Sequence, residues 1–101
     1  MTYAVRFTVE AEQDLFRLLD FLVEQDITAA QHAQAAIAKG IEFLAIFPFS
    51  CRKADGGENS AFLRELLISF GNAGYVALFE IADAKTVTIL AVRHQREEDY
   101  H

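Results

Sequence analysis

The sequence predicts a single α+β domain spanning residues 1–101, with a helical hairpin packed across one face of a mainly antiparallel sheet in the order β-α-α-β-β-β. Three observations predict it. The chain opens on an alternating apolar segment. Two long stretches with helical apolar spacing follow. After a glycine-bearing loop come three short runs rich in Val, Ile, Leu and Phe, separated by turn-forming residues.

Residues 3–9, Tyr-Ala-Val-Arg-Phe-Thr-Val, put Tyr3, Val5, Phe7 and Val9 on one face and Arg6 and Thr8 on the other, which predicts a strand with one buried face. Thr8 offers an N-cap. Glu10, Glu12 and Asp14 place acids at the positive end of a helix dipole. Ala11, Leu15, Leu18, Leu19 and Leu22 keep helical spacing over residues 9–25. Phe16, Phe21 and Val23 widen that apolar face, as a helix packed on two neighbours or one awaiting a partner would require. Asp26-Ile27 interrupts the pattern, and Thr28 with Gln31 has the form of a capping box. A second helix is expected over residues 28–47, with Ile37, Ile41 and Leu44 as its core stripe. Its row of Ala29, Ala33, Ala36 and Gly40 would let two helices approach closely. Pro48 ends it.

Residues 48–61 read as a loop, and Gly56-Gly57 lacks the Lys-Ser/Thr that would make it a phosphate cradle. Strands are expected over residues 62–70, 75–81 and 86–94. The turns at 71–74 and 83–85 are short enough to force antiparallel pairing. One sheet face should lie under the helices, leaving the other fairly apolar.

With 52% hydrophobic residues and nine Phe, the chain can build a core without staples. Its single cysteine, Cys51, fits a reducing cytoplasm and has no ligand-spaced neighbour for a metal. Neither a signal peptide nor a membrane span is expected. The formal net charge of −6 disfavours phosphate gripping as the main task, and sequence-specific nucleic-acid binding is not expected. Six of the nine Lys and Arg nevertheless lie after residue 50, so a local basic patch remains open.

Several motifs together resemble one family. They are Ala11-x-x-Asp14-Leu15, Phe47-Pro48, Phe62-Leu63-Arg64-Glu65-Leu66, Gly74-Tyr75-Val76-Ala77-Leu78-Phe79-Glu80-Ile81, and Val92-Arg93-His94-Gln95-Arg96. In order and spacing the chain is similar to the RelE/ParE toxin superfamily, and most similar to its ParE branch. The resemblance implies the toxin of a type II toxin–antitoxin pair, silenced by a cognate ParD-like antitoxin. ParE-like members inhibit DNA gyrase; RelE-like members cut messenger RNA in the ribosome. Cutting members typically carry an arginine after the Tyr matching Tyr75, where this chain has Val76, and often a Tyr where it has Phe79. Valine can neither stabilise a phosphate charge nor move a proton. The reading is therefore a gyrase inhibitor with no catalytic residue and no cofactor. A ribosome-dependent endoribonuclease and a non-toxic antitoxin-binding module stand as alternatives.

Arg64, Arg93, His94 and Arg96 are the candidate target contacts. Each has a structural reading beside it: an ion pair of Arg64 with Glu80 or Asp83, or a hydrogen bond by which His94 fixes the following segment. Arg52, Lys53 and Arg93 would form one patch if the loop folds over the sheet, but read more simply as ordinary solvated surface. Tyr100, among Glu97, Glu98 and Asp99, reads as packing, and His32 as surface. The acids otherwise read as spread along helix surfaces. Leu15, Phe16, Leu18 and Leu22 are the candidate antitoxin contacts, an apolar helix face being a natural partner groove.

Overall fold

The computed structural model describes residues 2–54, 63–71 and 73–96. Strand β1 (Ala4–Phe7) leads into helix α1 (Val9–Gln25), helix α2 (Ile27–Ile46) and a 3₁₀ turn (Pro48–Ser50). Strands β2 (Arg52–Lys53), β3 (Leu63–Phe70), β4 (Ala73–Asp83) and β5 (Thr86–His94) follow. They form one five-stranded sheet in the order β1-β5-β4-β3-β2, under the helical hairpin. All neighbours are antiparallel except β1, which runs parallel to β5 with Ala4 opposite Thr86 and Phe7 opposite Ile89. The expected α+β order holds, with one addition: the segment read as plain loop contains β2, which pairs Arg52 with Glu65 and Lys53 with Arg64. A two-residue edge strand has no periodicity for a sequence reading to detect.

Thr8 caps α1 as expected, its hydroxyl accepting from the Ala11 N–H at 3.1 Å. The cap of α2 is Asp26 and not Thr28. Its carboxylate accepts from the N–H groups of Thr28 (3.0 Å) and Ala29 (3.3 Å). Asp26 also ends α1, donating its backbone N–H to the Leu22 carbonyl, so one residue joins the two helices. Aspartate outcompetes threonine here because its charge also complements the helix dipole. The small-residue row of α2 is divided between neighbours. Gly40 faces the sheet: a Cβ there would lie 3.1 Å from side-chain atoms of Ile68 and Leu66. It lets α2 settle on β3 and not on α1.

Phe79, Leu44, Ile89, Val76 and Val87 are the largest fully buried side chains apart from Pro48. Tyr75, Ala77 and Phe79 of β4 and Val87, Ile89 and Val92 of β5 face the helices. The change of parity between Ile89 and Val92 marks a bulge: Leu78 pairs with Ala91 but Phe79 with Ile89, leaving Leu90 over.

The bulge lies where β1 has run out, so β5 needs other partners on that edge. The first residues of α1 supply them. Thr8 donates its backbone N–H to the Ile89 carbonyl (3.0 Å) and its hydroxyl to the Leu90 carbonyl (3.2 Å). Asp14 accepts the Val92 N–H at 2.8 Å. Asp14 is 7% exposed, and Glu65 is buried too. This corrects the reading of the acids as lying on helix surfaces: position 14 belongs to the inward stripe with Ala11 and Leu18.

Gly74 has a different necessity. A Cβ there would run into the Ile68 carbonyl, so only glycine lets β4 start against β3. The β4–β5 turn is held by Asp83, whose carboxylate takes the Lys85 N–H at 2.8 Å. That bond holds its carboxyl below the ordinary range. Among the described residues no helix is long and apolar enough to cross a membrane.

Candidate functional site

The four candidate target contacts do not form one cluster. Arg64 shares the helix-facing side of β3 with Leu66 and Ile68, but lies beyond the end of α2, over the 3₁₀ turn. Its Nη1 donates to the carbonyls of Cys51 (2.7 Å) and Phe49 (3.3 Å), and its guanidinium sits 5.5 Å from the centre of the Phe49 ring. The expected ion pair to Glu80 or Asp83 is replaced by these carbonyls, because the turn covers that end of the strand. Arg64 therefore ties the turn to the sheet. Burial pushes the nearby Cys51 thiol up, partly offset by the Arg64 charge.

Arg93 projects from the open face of the sheet, in one row with Val76 and Leu67. Its Nη1 donates to the carbonyls of His94 (3.2 Å) and Gln95 (3.3 Å). Arg52 is on the same face and is bound to buried Glu65 at 3.1 Å, while Lys53 alternates to the other side. Arg52 and Arg93 are three strands apart, roughly 14 Å. Arg52, Lys53 and Arg93 are thus not assembled into one basic patch, in keeping with the reading of them as ordinary surface residues.

His94 points to the helix side. Its ring stands edge-on to Tyr75, with centroids 5.8 Å apart, and its Nδ1 accepts the Arg96 N–H at 3.1 Å. Gln95 donates its N–H to the Gly74 carbonyl at 2.9 Å. An Nδ1 that accepts leaves the neutral ring's proton on Nε2. Burial raises the Tyr75 phenol above its ordinary value.

His94 and Arg96 do meet other candidates. With Arg17, Leu18 and Phe21 of α1 they line a pocket of about 400 Å³ at the end of β5. Its lining joins two arginines and a histidine to the apolar Leu18 and Phe21. Two of the four target candidates and one antitoxin candidate therefore share a site. Arg17 and Phe21 were missing from the candidate residues; the signal for them was their i, i+4 spacing on α1 one turn past Asp14.

The proposed antitoxin contacts divide by burial. Leu18 is 8% exposed and belongs to the core; Leu15 and Leu22 are half-buried against it. Phe16 is 76% exposed, and with Leu15, Leu19 and Glu12 it lines a shallow hollow of about 230 Å³. Further apolar surface went unread: Phe43, Ile46, Phe47 and Phe49 are all exposed around Pro48, with the Phe43 and Phe47 rings 5.6 Å apart. A groove of about 660 Å³ continues from Phe43 between α2 and β3, past Lys39 and His32. The density of aromatics at residues 43–49 was the available signal.

No group of three His, Cys, Asp or Glu among the described residues could hold a metal. Val76 is 2% exposed and fills the open sheet face beside Arg93. What the arrangement offers is binding surface. Tyr100 lies outside the described residues.

A family model described as the ParE toxin of the type II toxin–antitoxin system parDE matches residues 5–99. Among solved structures, the chain is similar to one from the chromosomal ParDE toxin–antitoxin system of P. aeruginosa. The TM-score is 0.69 at 18% identity, covering 91% of this chain and 95% of that one. It is also similar to a chain of the toxin–antitoxin complex RelBE2 from Mycobacterium tuberculosis. There the TM-score is 0.59 at 26% identity, covering 96% of this chain and 95% of that one. A search of curated proteins finds no match.

Proposed function

The chain belongs to the ParE toxin family of type II toxin–antitoxin systems, and from that premise we propose that a cognate ParD-like antitoxin neutralises it and that its target is DNA gyrase. It acts on that target as a protein ligand and not as an enzyme. The observation that carries this choice is the open sheet face. Cutting RNA in line needs cations poised on a phosphate and a general base near the 2′-hydroxyl. On this face Val76 is buried, Arg52 is bound to Glu65, and Arg93 is directed to backbone carbonyls. The antitoxin reading is supported by the solved neighbours, which come from toxin–antitoxin systems. It is supported as well by exposed Phe16, Phe21, Val23, Phe43 and Phe47, more apolar surface than scattered exposure accounts for.

The test is a cleavage assay with purified, antitoxin-free protein, gyrase, plasmid and ATP. Linear DNA trapped as cleavage complex, and lost on adding the antitoxin, is the expected result. Undisturbed supercoiling by protein shown to be folded rejects gyrase as the target. A ribosome-programmed cleavage assay then decides between an endoribonuclease and a silent antitoxin-binding module.

A further inference from the structure

The outer edge of β3 is covered at one end only. β2 pairs with Arg64 and Glu65 and goes no further, while β3 itself runs in unbroken register with β4 from Leu63 to Phe70. Two contacts fix which backbone groups face outward. Ala54 donates its N–H to the Leu63 carbonyl, which puts residue 63, and by alternation 65, 67 and 69, on the outer edge. The Ile68 carbonyl faces Gly74, on the β4 side. Leu67 and Ser69 therefore each hold an N–H and a C=O out from the sheet, and among the described residues no strand pairs with them. Nothing guards this edge. Leu66-Leu67-Ile68-Ser69-Phe70 carries no charge, no proline and no bulge, the devices by which edge strands refuse partners. The groove of about 660 Å³ between α2 and β3 lies along the same edge. Phe43, Ala35 and Ala36 line it together with Lys39 and His32, and its lining holds no carboxylate although the chain carries a net charge of −6.

We propose that this edge and groove take one extended peptide segment of a partner protein, added as a strand beside β3, apolar toward Phe43 and acidic toward Lys39. The backbone groups of Leu67 and Ser69 call for donors and acceptors at strand spacing, which another extended backbone supplies and a helix, whose groups are bonded internally, does not. A second copy of this chain does not fit. Gly40 seats α2 directly on Ile68 and Leu66. Two copies joined through this edge would set their β3 strands about 4.8 Å apart and carry two α2 helices with them. Packed helices need about 8–10 Å between axes. The occupant is therefore a bare strand with no helical layer of its own. Its charge follows from the rim, where Lys39 and His32 favour a carboxylate and disfavour a cation. The site is separate from the hollow at Phe16 and from the pocket at the end of β5.

The probe is the peptide acetyl-Val-Thr-Glu-Thr-Val-Thr-Val-amide, whose alternation puts Val and Glu on one face and Thr on the other. Titrated to millimolar concentration into the isotope-labelled full chain, it should shift the amide signals of Leu67, Ser69 and Lys39 saturably and slow hydrogen exchange at Leu67 and Ser69. Replacing its Glu by Lys should weaken binding about two- to fivefold, as the loss of one exposed ion pair allows. N-methylating the peptide backbone, which removes its donors, should abolish binding. The protein is unaltered throughout, so lost binding is never lost folding. Signals unmoved at millimolar peptide overturn the proposal. Binding that survives N-methylation overturns strand pairing, and binding indifferent to the Glu→Lys change overturns the charge complement. Protection of Leu67 and Ser69 that grows with protein concentration in the absence of peptide overturns it in favour of self-pairing.

Discussion

Replacing Asp14 tests the way α1 is fastened to the sheet. Its carboxylate accepts the Val92 N–H at 2.8 Å, on an edge of β5 that β1 no longer covers. In Asp14→Ala that N–H keeps its buried place and loses its acceptor. A hydrogen bond to a charged group contributes about 1.5–3 kcal/mol, and an orphaned buried donor costs about 1–3 kcal/mol, two descriptions of one loss. The expected destabilisation is therefore about 2 kcal/mol, a large part of the roughly 5–15 kcal/mol that holds a domain folded. In a domain of this size it corresponds to a fall in Tm of roughly 8–16 °C. Asp14→Asn can still present a carbonyl oxygen to Val92 and should lose about half as much. Urea unfolding followed by far-UV circular dichroism measures both, the midpoint moving with the slope unchanged. An Asp14→Ala protein within about 0.5 kcal/mol of the parent, the range of ordinary surface changes, would refute the reasoning.

The remaining predictions rest on other contacts. Phe79→Tyr puts a hydroxyl at a fully buried site and should cost about 1–3 kcal/mol unless it finds a partner; the same unfolding assay reads it. Arg64→Ala removes the bonds to the Cys51 and Phe49 carbonyls and should lower stability by about 1–2 kcal/mol, with Arg64→Lys recovering only part because a point charge lacks the flat guanidinium. Burial raises both the Cys51 thiol and the Tyr75 phenol, so the folded state holds their protons more tightly than the unfolded chain does. Their effect is neutral below the unfolded values and turns destabilising as pH rises from about 9 upward. Urea midpoints across pH 8–11 should fall more steeply than in Cys51→Ala, and a parallel fall would contradict the burial of the thiol.

Most of the architecture could be read because its elements announce themselves locally. The alternation at residues 3–7, the Thr8 cap and the Pro48 stop are patterns within a few residues, and the fold keeps all three. What could not be read depends on neighbours distant in sequence. Gly40 looks like a helix–helix contact until β3 is seen against it. Asp14 looks like a dipole-favouring surface acid until the bare edge of β5 is seen to need an acceptor. The site shows the same division. The residue types at Arg64, Arg93, His94 and Arg96 were legible, and strand alternation alone separates Arg93 from His94, but the bulge at Leu90 decides which of the two faces the helices. No local signal announces that bulge.

The pairing of β1 with β5 also sets an order in time. Thr8 and its bond to the Leu90 carbonyl are separated by 82 positions. As the chain is synthesised, the first strand waits for the last. Elongation at roughly 5–20 residues per second makes that wait about 4–16 s, during which α1 and α2 exist without the strand that completes their support. Closure over such a long separation is also slow in itself. The nascent protein thus spends its synthesis with its apolar helical surfaces uncovered.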